Sequence, residues 1–220
     1  MDLITLQKRV TAEGCFSLRQ PGAILLISCY ELGHQPVGIA QPLGVLEQAG
    51  YAPAALDIAV EEFDADRVKR ARFIGISVPM HTALRLGVRV ADLIRKTNPA
   101  CHICFYGLYA SINADYLLTD FADSVIGGEY ETPLVALIES LDRNHEDLEV
   151  EGVSRRGRIV GPFLKRPRLP FAVSSRRNLP PLTRYARLER DGSRHVVGYV
   201  ETSRGCKHMC RHCPIVPVYE

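Results

Sequence analysis

The sequence has 220 residues, enough for one sizeable hydrophobic core and a smaller second unit. Hydrophobic residues make up 46% of it and charged residues 24%, a balance that is typical of globular proteins and excludes a disordered or fibrous chain. The net charge of +2 is too small to indicate a nucleic-acid partner, and no apolar run approaches the ~20 residues of a membrane span. Seven cysteines, an odd number, without a secretory leader predict a cytoplasmic protein with reduced thiols.

Residues 1–20 form an N-terminal arm without a clear pattern, and residues 21–143 then alternate apolar runs with amphipathic segments. The apolar runs predict short strands at residues 23–30, 54–58, 72–78, 101–106 and 124–126. The segments between and after them predict helices at residues 37–49, 61–70, 82–96, 109–120 and 133–141. Pro42 predicts a kink or a late start in the first helix, and Gly50 predicts its C-terminal cap.

This alternation predicts an α/β domain with a doubly wound parallel sheet of about five strands, of the flavodoxin-like or Rossmann type. Such sheets bind ligands at the carboxyl ends of their strands. The loops that follow the strands are therefore the candidate binding edge, at residues 31–35, 79–81, 107–110 and 127–130.

Residues 144–194 differ in character from the first domain. Residues 148–160 predict a small hairpin, and the prolines between residues 162 and 181 predict a stiff, extended linker. The many basic residues here favour a solvated strap between domains over an RNA-binding arm, because no aromatic stacking platform is interleaved with them.

Three closely spaced cysteines follow an apolar run at residues 195–200 that predicts a buried strand. Cys206, Cys210 and Cys213 have the spacing C-x3-C-x2-C. Three thiolates can hold three corners of a cubane iron–sulfur cluster and leave the fourth iron open for a substrate. Structural zinc sites typically use C-x2-C pairs, yet two interleaved histidines, His208 and His212, keep a mixed Cys/His zinc site as the alternative.

The cysteine pattern resembles the signature of the radical S-adenosylmethionine (SAM) enzymes, in which it follows the first strand of an α/β barrel. The resemblance implies a [4Fe–4S] cluster on Cys206, Cys210 and Cys213. It further implies that the fourth iron chelates SAM, which an electron from the cluster cleaves to a 5′-deoxyadenosyl radical, and that a flavodoxin or ferredoxin supplies the electron. Members of this family usually carry an aromatic residue before the last cysteine, where this sequence has His212.

A second resemblance covers roughly residues 20–143. Several short segments occur in the same order as in the cobalamin (B12)-binding domains that precede radical SAM barrels, namely residues 36–39, 50–51, 56–57, 73–77, 106–107 and 125–129. In that family the strand-end loops cradle the corrin ring and receive its nucleotide tail. The resemblance implies cobalamin as a further cofactor, with contacts at Ser77, Gly107, Gly127, Gly128 and Glu129.

The loop after the first strand departs from the classical cobalamin motif Asp-x-His-x-x-Gly. His34 stands at the position of the cobalt-ligating histidine, but Leu32 replaces the aspartate and Val37 replaces the glycine. Because a ligating imidazole is normally oriented by a partner such as a carboxylate, His34 is either a candidate ligand or a plain surface residue.

The sequence thus predicts part of a radical SAM enzyme, with a cobalamin-binding-like domain at residues 21–143, a linker at 144–194 and an incomplete barrel from residue 195. A barrel needs about 200 residues and seven follow Cys213, so a truncated, inactive chain is expected. The expected chemistry is cobalamin-assisted methyl transfer or radical rearrangement of an unidentified substrate.

Two other functions remain open at this point. One is a non-enzymatic module that binds cobalamin or a small ligand and contains structural zinc. The other is an enzyme that resembles the methylthiotransferases, which hold a second cluster on three N-terminal cysteines. The remaining cysteines lack the required spacing, and Cys101 and Cys104 point to opposite faces of a predicted strand, which favours core packing.

Overall fold

The structure is a computed structural model that describes residues 17–143, 149–164 and 173–219. Most of the N-terminal arm, with Cys15, lies outside these residues, as does part of the predicted linker. The described strands are β1 (Ile24–Ser28), β2 (Ala54–Asp57), β3 (Phe73–Ser77), β4 (His102–Tyr106), β5 (Ser124–Ile126), β6 (Val153–Ser154), β7 (Arg187–Arg190) and β8 (Ser193–Val196). The described helices are α1 (Val37–Gln48), α2 (Ala65–Arg70), α3 (His81–Thr97), α4 (Leu108–Ser111), α5 (Ala114–Asp120), α6 (Glu131–Asp142) and α7 (Val216–Tyr219). None of these helices has both the length and the apolar character needed to cross a bilayer.

The main sheet has six strands in the order β2-β1-β3-β4-β5-β6. The first five strands run parallel, and β1 pairs with both β2 and β3. The strand order therefore reverses between β1 and β3, which is the switch point of a flavodoxin-like sheet. The predicted doubly wound α/β fold is confirmed.

Hydrophobic clusters cover both faces of this sheet. In β1, Leu25 and Ile27 belong to one cluster, and Ile24 and Leu26 belong to the other. Neither face of the central sheet meets water, so β1 and β3 are buried at every position. Strands that are buried on both faces have nearly continuous apolar sequences, as these two do.

The two cysteines of the fourth predicted strand divide between the same two clusters. Cys101, just before β4, packs in one cluster and Cys104, within β4, packs in the other. Burial raises the pKa of both thiols to about 12, so neither is a ready thiolate. The core-packing prediction for this pair is confirmed.

Helix α1 is continuous through Pro42, so the late start suggested by the sequence does not occur. Proline has no N–H to donate to the carbonyl four residues earlier, which belongs to Gly38. The buried Tyr106 hydroxyl donates to that Gly38 oxygen over 2.9 Å and replaces the missing bond. Gly50, at φ 82°, follows the end of the helix as predicted.

Two predicted elements are divided or rearranged. The helix predicted at residues 109–120 is interrupted at Asn113, whose side-chain amide donates to the Tyr109 carbonyl oxygen over 2.8 Å. The turn of the hairpin predicted at residues 148–160 forms, since Arg155 and Arg158 exchange two backbone hydrogen bonds of 2.9 Å, but β6 before it also pairs antiparallel with β5 at the edge of the main sheet.

The prediction of a buried strand at residues 195–200 is wrong. Strand β8 ends at Val196 and pairs with β7 in an exposed two-stranded hairpin. Asp191 and Gly192 have φ values of 52° and 71°, the conformation of an Asp-Gly hairpin turn. The turn pairs β8 with β7, so the apolar run does not continue as a strand. Tyr199 and Val200 remain exposed and lie outside any strand.

Candidate functional site

Part of the predicted linker, residues 173–186, packs against the domain, and we call it the strap. At its start the Ser175 amide donates to the Ala40 carbonyl oxygen in α1 over 2.8 Å. At its end the Ala186 amide donates to the Gly33 carbonyl oxygen, in the loop after β1, over 2.9 Å. The strap therefore leads the chain across α1 to the carboxyl edge of the sheet.

A buried hydrogen bond holds the strap at the end of β2. The Tyr185 hydroxyl donates to Oδ2 of Asp57 over 2.8 Å, and the Asp57 side chain is almost fully buried. Burial raises the pKa of Asp57, while the bonds from Tyr185 and the Ala59 amide oppose the shift. Asp57 stands at a predicted strand end and in the segment 56–57 of the cobalamin-domain resemblance, but no sequence pattern pairs it with Tyr185.

Glu31 is a second buried carboxylate at this edge, in the loop after β1. Its Oε1 accepts from the Val37 amide over 2.8 Å and its Oε2 from the Gly38 amide over 3.2 Å, at the start of α1. Burial raises the pKa of Glu31 to about 7, although the two amide bonds lower it. Sequence analysis missed this residue, because no spacing rule links it to the helix that it caps.

The cysteine segment, residues 201–219, attaches to the sheet edge through Arg204. The Arg204 side chain is 13% exposed, and its guanidinium lies 4.7 Å from the centre of the Tyr130 ring. It donates hydrogen bonds to Gln41, Glu129, Tyr130, Glu131 and Glu201. Sequence analysis missed Arg204, although it stands two positions before the first cysteine of the motif.

One cleft brings together a predicted cofactor contact and a predicted metal ligand. Its volume is about 370 Å³, and its lining includes Glu129, Arg204, Cys206, Lys207 and Tyr219. Burial raises the pKa of Glu129, and the Arg204 charge opposes that shift. The cleft thus places a carboxylate, two cationic side chains and a thiol around one volume.

The three cysteines of the motif are free thiols on the protein surface. Cys206 and Cys210 are exposed and Cys213 is half-buried, with the Cys213 amide donating to the Cys210 carbonyl oxygen over 3.0 Å. Within the described parts of the chain, no three Cys, His, Asp or Glu side chains lie close enough together to hold a metal ion. The three thiols are nevertheless the right type and number of ligands for an iron–sulfur cluster with one open iron.

The predicted cobalamin contacts at the end of β5 are packed against the chain itself. A Cβ at Gly127 would lie 2.4 Å from Ser111, and one at Gly128 would lie 2.2 Å from the Phe163 carbonyl oxygen. The Glu129 amide also donates to that oxygen over 2.7 Å. The space beside these glycines is thus filled by Ser111 and by the Phe163 backbone, and the cobalamin contacts stay a prediction.

The other predicted cobalamin contacts lie apart from the cysteine cleft. Gly107, at φ 106°, precedes α4, and the buried Ser77 lies where a Cβ on Gly38 would clash with its hydroxyl. His34 stacks on Tyr199, with ring centroids 4.9 Å apart and planes 13° from parallel. In this arrangement the imidazole faces an aromatic ring of the returning chain.

No protein-family model matches the sequence, and no curated protein matches it. Among solved structures, it is similar to the radical SAM methyltransferase TsrM from Kitasatospora setae. The form with cobalamin and a [4Fe–4S] cluster bound aligns at 17% identity with a TM-score of 0.60. The form with tryptophan substrate and the SAM analogue aza-SAM bound aligns at 16% identity with a TM-score of 0.58. Both alignments cover 89% of this chain and 41% of the TsrM chain, and at these identities they show a shared fold.

Proposed function

We propose that this chain forms part of a radical SAM enzyme in which Cys206, Cys210 and Cys213 hold a [4Fe–4S] cluster. The observation that carries the proposal is the C-x3-C-x2-C run of free thiols, attached through Arg204 to the carboxyl edge of a doubly wound sheet. Ligands of this fold class bind at that edge. The fold shared with TsrM, a radical SAM methyltransferase, supports the proposal.

In this proposal the chain supplies the cluster ligands and fixes where the cysteine segment lies. When bound, the cluster supplies the electron that cleaves SAM reductively. The three cysteines supply thiolate ligands and leave one iron without a protein ligand, while Arg204 holds their segment beside Glu129. We propose methyl transfer or a radical rearrangement as the reaction class, and the described residues do not identify the substrate.

Cobalamin fits this conformation of the sheet edge less well than the cluster fits the cysteines. Phe163 lies against Gly128, and Tyr199 covers one face of His34. A corrin ring at these loops requires Phe163 and Tyr199 to move aside, so we derive no catalytic step from cobalamin. Incubation with hydroxocobalamin followed by gel filtration tests binding: a retained corrin spectrum supports it, and its absence rejects it.

Metal analysis of protein reconstituted without oxygen tests the cluster. We expect about four irons and four sulfides per chain, with broad absorption in the blue, and loss of both in a Cys206/Cys210/Cys213→Ala variant. A His208/His212→Ala variant is the matched control, because it keeps the three thiols and should keep the iron.

About one zinc per chain in a colourless protein would overturn the proposal, particularly if the histidine variant lost that zinc. That outcome would favour a non-enzymatic ligand-binding module. Protein that takes up neither iron nor zinc would also contradict the proposed cluster.

A further inference from the structure

The surroundings of Arg204 contain more negative than positive charge. Its three guanidinium nitrogens reach three carboxylates, with Nε 2.8 Å from Glu201, Nη1 3.2 Å from Glu129 and Nη2 2.5 Å from Glu131. The exposed fractions of these carboxylate side chains are between 15% and 34%. Without the cation, Glu201 of the cysteine segment would face two like charges at short range, and attraction would become repulsion.

The partners of Arg204 come from separate parts of the domain. Gln41 belongs to α1, Glu129 and Tyr130 to the loop after β5, and Glu131 to the first turn of α6. A single side chain thus joins the cysteine segment to three neighbouring pieces of the sheet edge. Lysine could not make all these contacts, because its ammonium group lacks the planar fork of guanidinium.

The cysteine segment contacts the same loop again after the last cysteine. The Tyr219 hydroxyl donates to the Gly128 carbonyl oxygen over 3.3 Å, and Tyr219 lines the cleft together with Arg204 and Cys206. Residues 206–213 therefore form a loop whose two ends rest on residues 128–131.

From this geometry we infer that Arg204 is a positioning residue, which fixes the cysteine loop on the loop after β5 and so couples the two. This inference deepens the proposed function, because it assigns the residue that sets where the three thiolates lie relative to Glu129. It predicts that loss of Arg204 releases the cysteine loop while the sheet stays folded.

Limited trypsin digestion of the metal-free protein tests this inference, since cleavage after Lys207 and Arg211 reports on the cysteine loop. We expect Arg204→Gln to speed cleavage at these sites by about tenfold, because proteolysis follows the population of the open form. Cleavage after Arg190, in the exposed β7–β8 hairpin, should be unchanged and serves as the internal reference. Arg204→Lys should restore slow cleavage in part.

Two further variants separate the specific contact from general destabilisation. Asp66→Asn removes an exposed ion pair with Lys69, deletes no trypsin site and should leave cleavage after Lys207, Arg211 and Arg190 unchanged. Glu131→Gln should speed cleavage after Lys207, and combining it with Arg204→Gln should add little, because coupled residues are not additive.

Unchanged cleavage after Lys207 in Arg204→Gln, or equal acceleration after Arg190, would overturn the inference. The digestion uses metal-free protein, so its result is independent of iron binding. Failure of wild-type protein to bind iron would instead contradict the proposed function alone.

Discussion

Replacement of Glu31 by glutamine should remove a pH dependence of stability that the fold creates. The Glu31 residue is 9% exposed, and burial raises its pKa from 4.5 to about 7. Between those pH values the folded chain keeps a proton on Glu31 that the unfolded chain has lost. Unfolding therefore releases a proton, and the free energy of unfolding falls as pH rises through this range.

The expected change in the free energy of unfolding follows from the two pKa values of Glu31. At about 1.4 kcal/mol per pH unit, the interval from 4.5 to about 7 corresponds to about 3 kcal/mol of stability that is present at low pH and lost near neutral pH. Glutamine does not titrate, so Glu31→Gln lacks this contribution. The variant should gain about 3 kcal/mol relative to wild type as the pH rises from about 4.5 to about 7.5.

Urea unfolding of wild-type and variant proteins across this pH range, in reducing buffer, measures the difference. Other titrating groups cancel because both proteins contain them. Glu62→Gln, which replaces an exposed glutamate, is the matched control and should track wild type at every pH. A Glu31→Gln difference that stays constant with pH would show that burial does not raise the pKa of this carboxylate.

Two further predictions concern the strap. Tyr185→Phe removes the hydroxyl that donates to buried Asp57 and should lower the free energy of unfolding by about 1–3 kcal/mol in urea; an unchanged midpoint would show that the bond contributes nothing net. Gly44→Ala places a methyl group 2.0 Å from the Val173 carbonyl oxygen and should displace the strap at a cost of about 1–3 kcal/mol. Trypsin should then cut faster after exposed Arg177, and wild-type cleavage there would contradict the close approach.

The sheet could be predicted from the sequence because its signals are local. Each central strand is a continuous apolar run, and β5 has the predicted bounds. Gly50 and the periodicity of α3 likewise act within a few residues. The error at residues 195–200 arose where two local signals competed, and the Asp191-Gly192 turn determined the pairing of β8.

The candidate site could be predicted only where its residues are close in sequence. The three cysteines share one short motif, whereas Arg204 and Gln41 are 163 positions apart. The bond from Tyr106 to Gly38, which permits Pro42 inside α1, spans 68 positions. Contacts at such separations depend on how the sheet edge and the returning chain pack together, and no periodicity or spacing encodes them.

The lability of one iron in the reconstituted cluster, followed by electron paramagnetic resonance, tests most sharply whether three cysteines hold the cluster. Three cysteine ligands leave one iron of the [4Fe–4S] cluster without a protein ligand, and mild oxidation should remove that iron first. We expect a four-iron signal after reduction, a three-iron signal after oxidation, and recovery of the four-iron signal when ferrous iron is added. A four-iron cluster that resists oxidation, or one that forms equally well without Cys206, Cys210 and Cys213, would show that these cysteines do not form the proposed site.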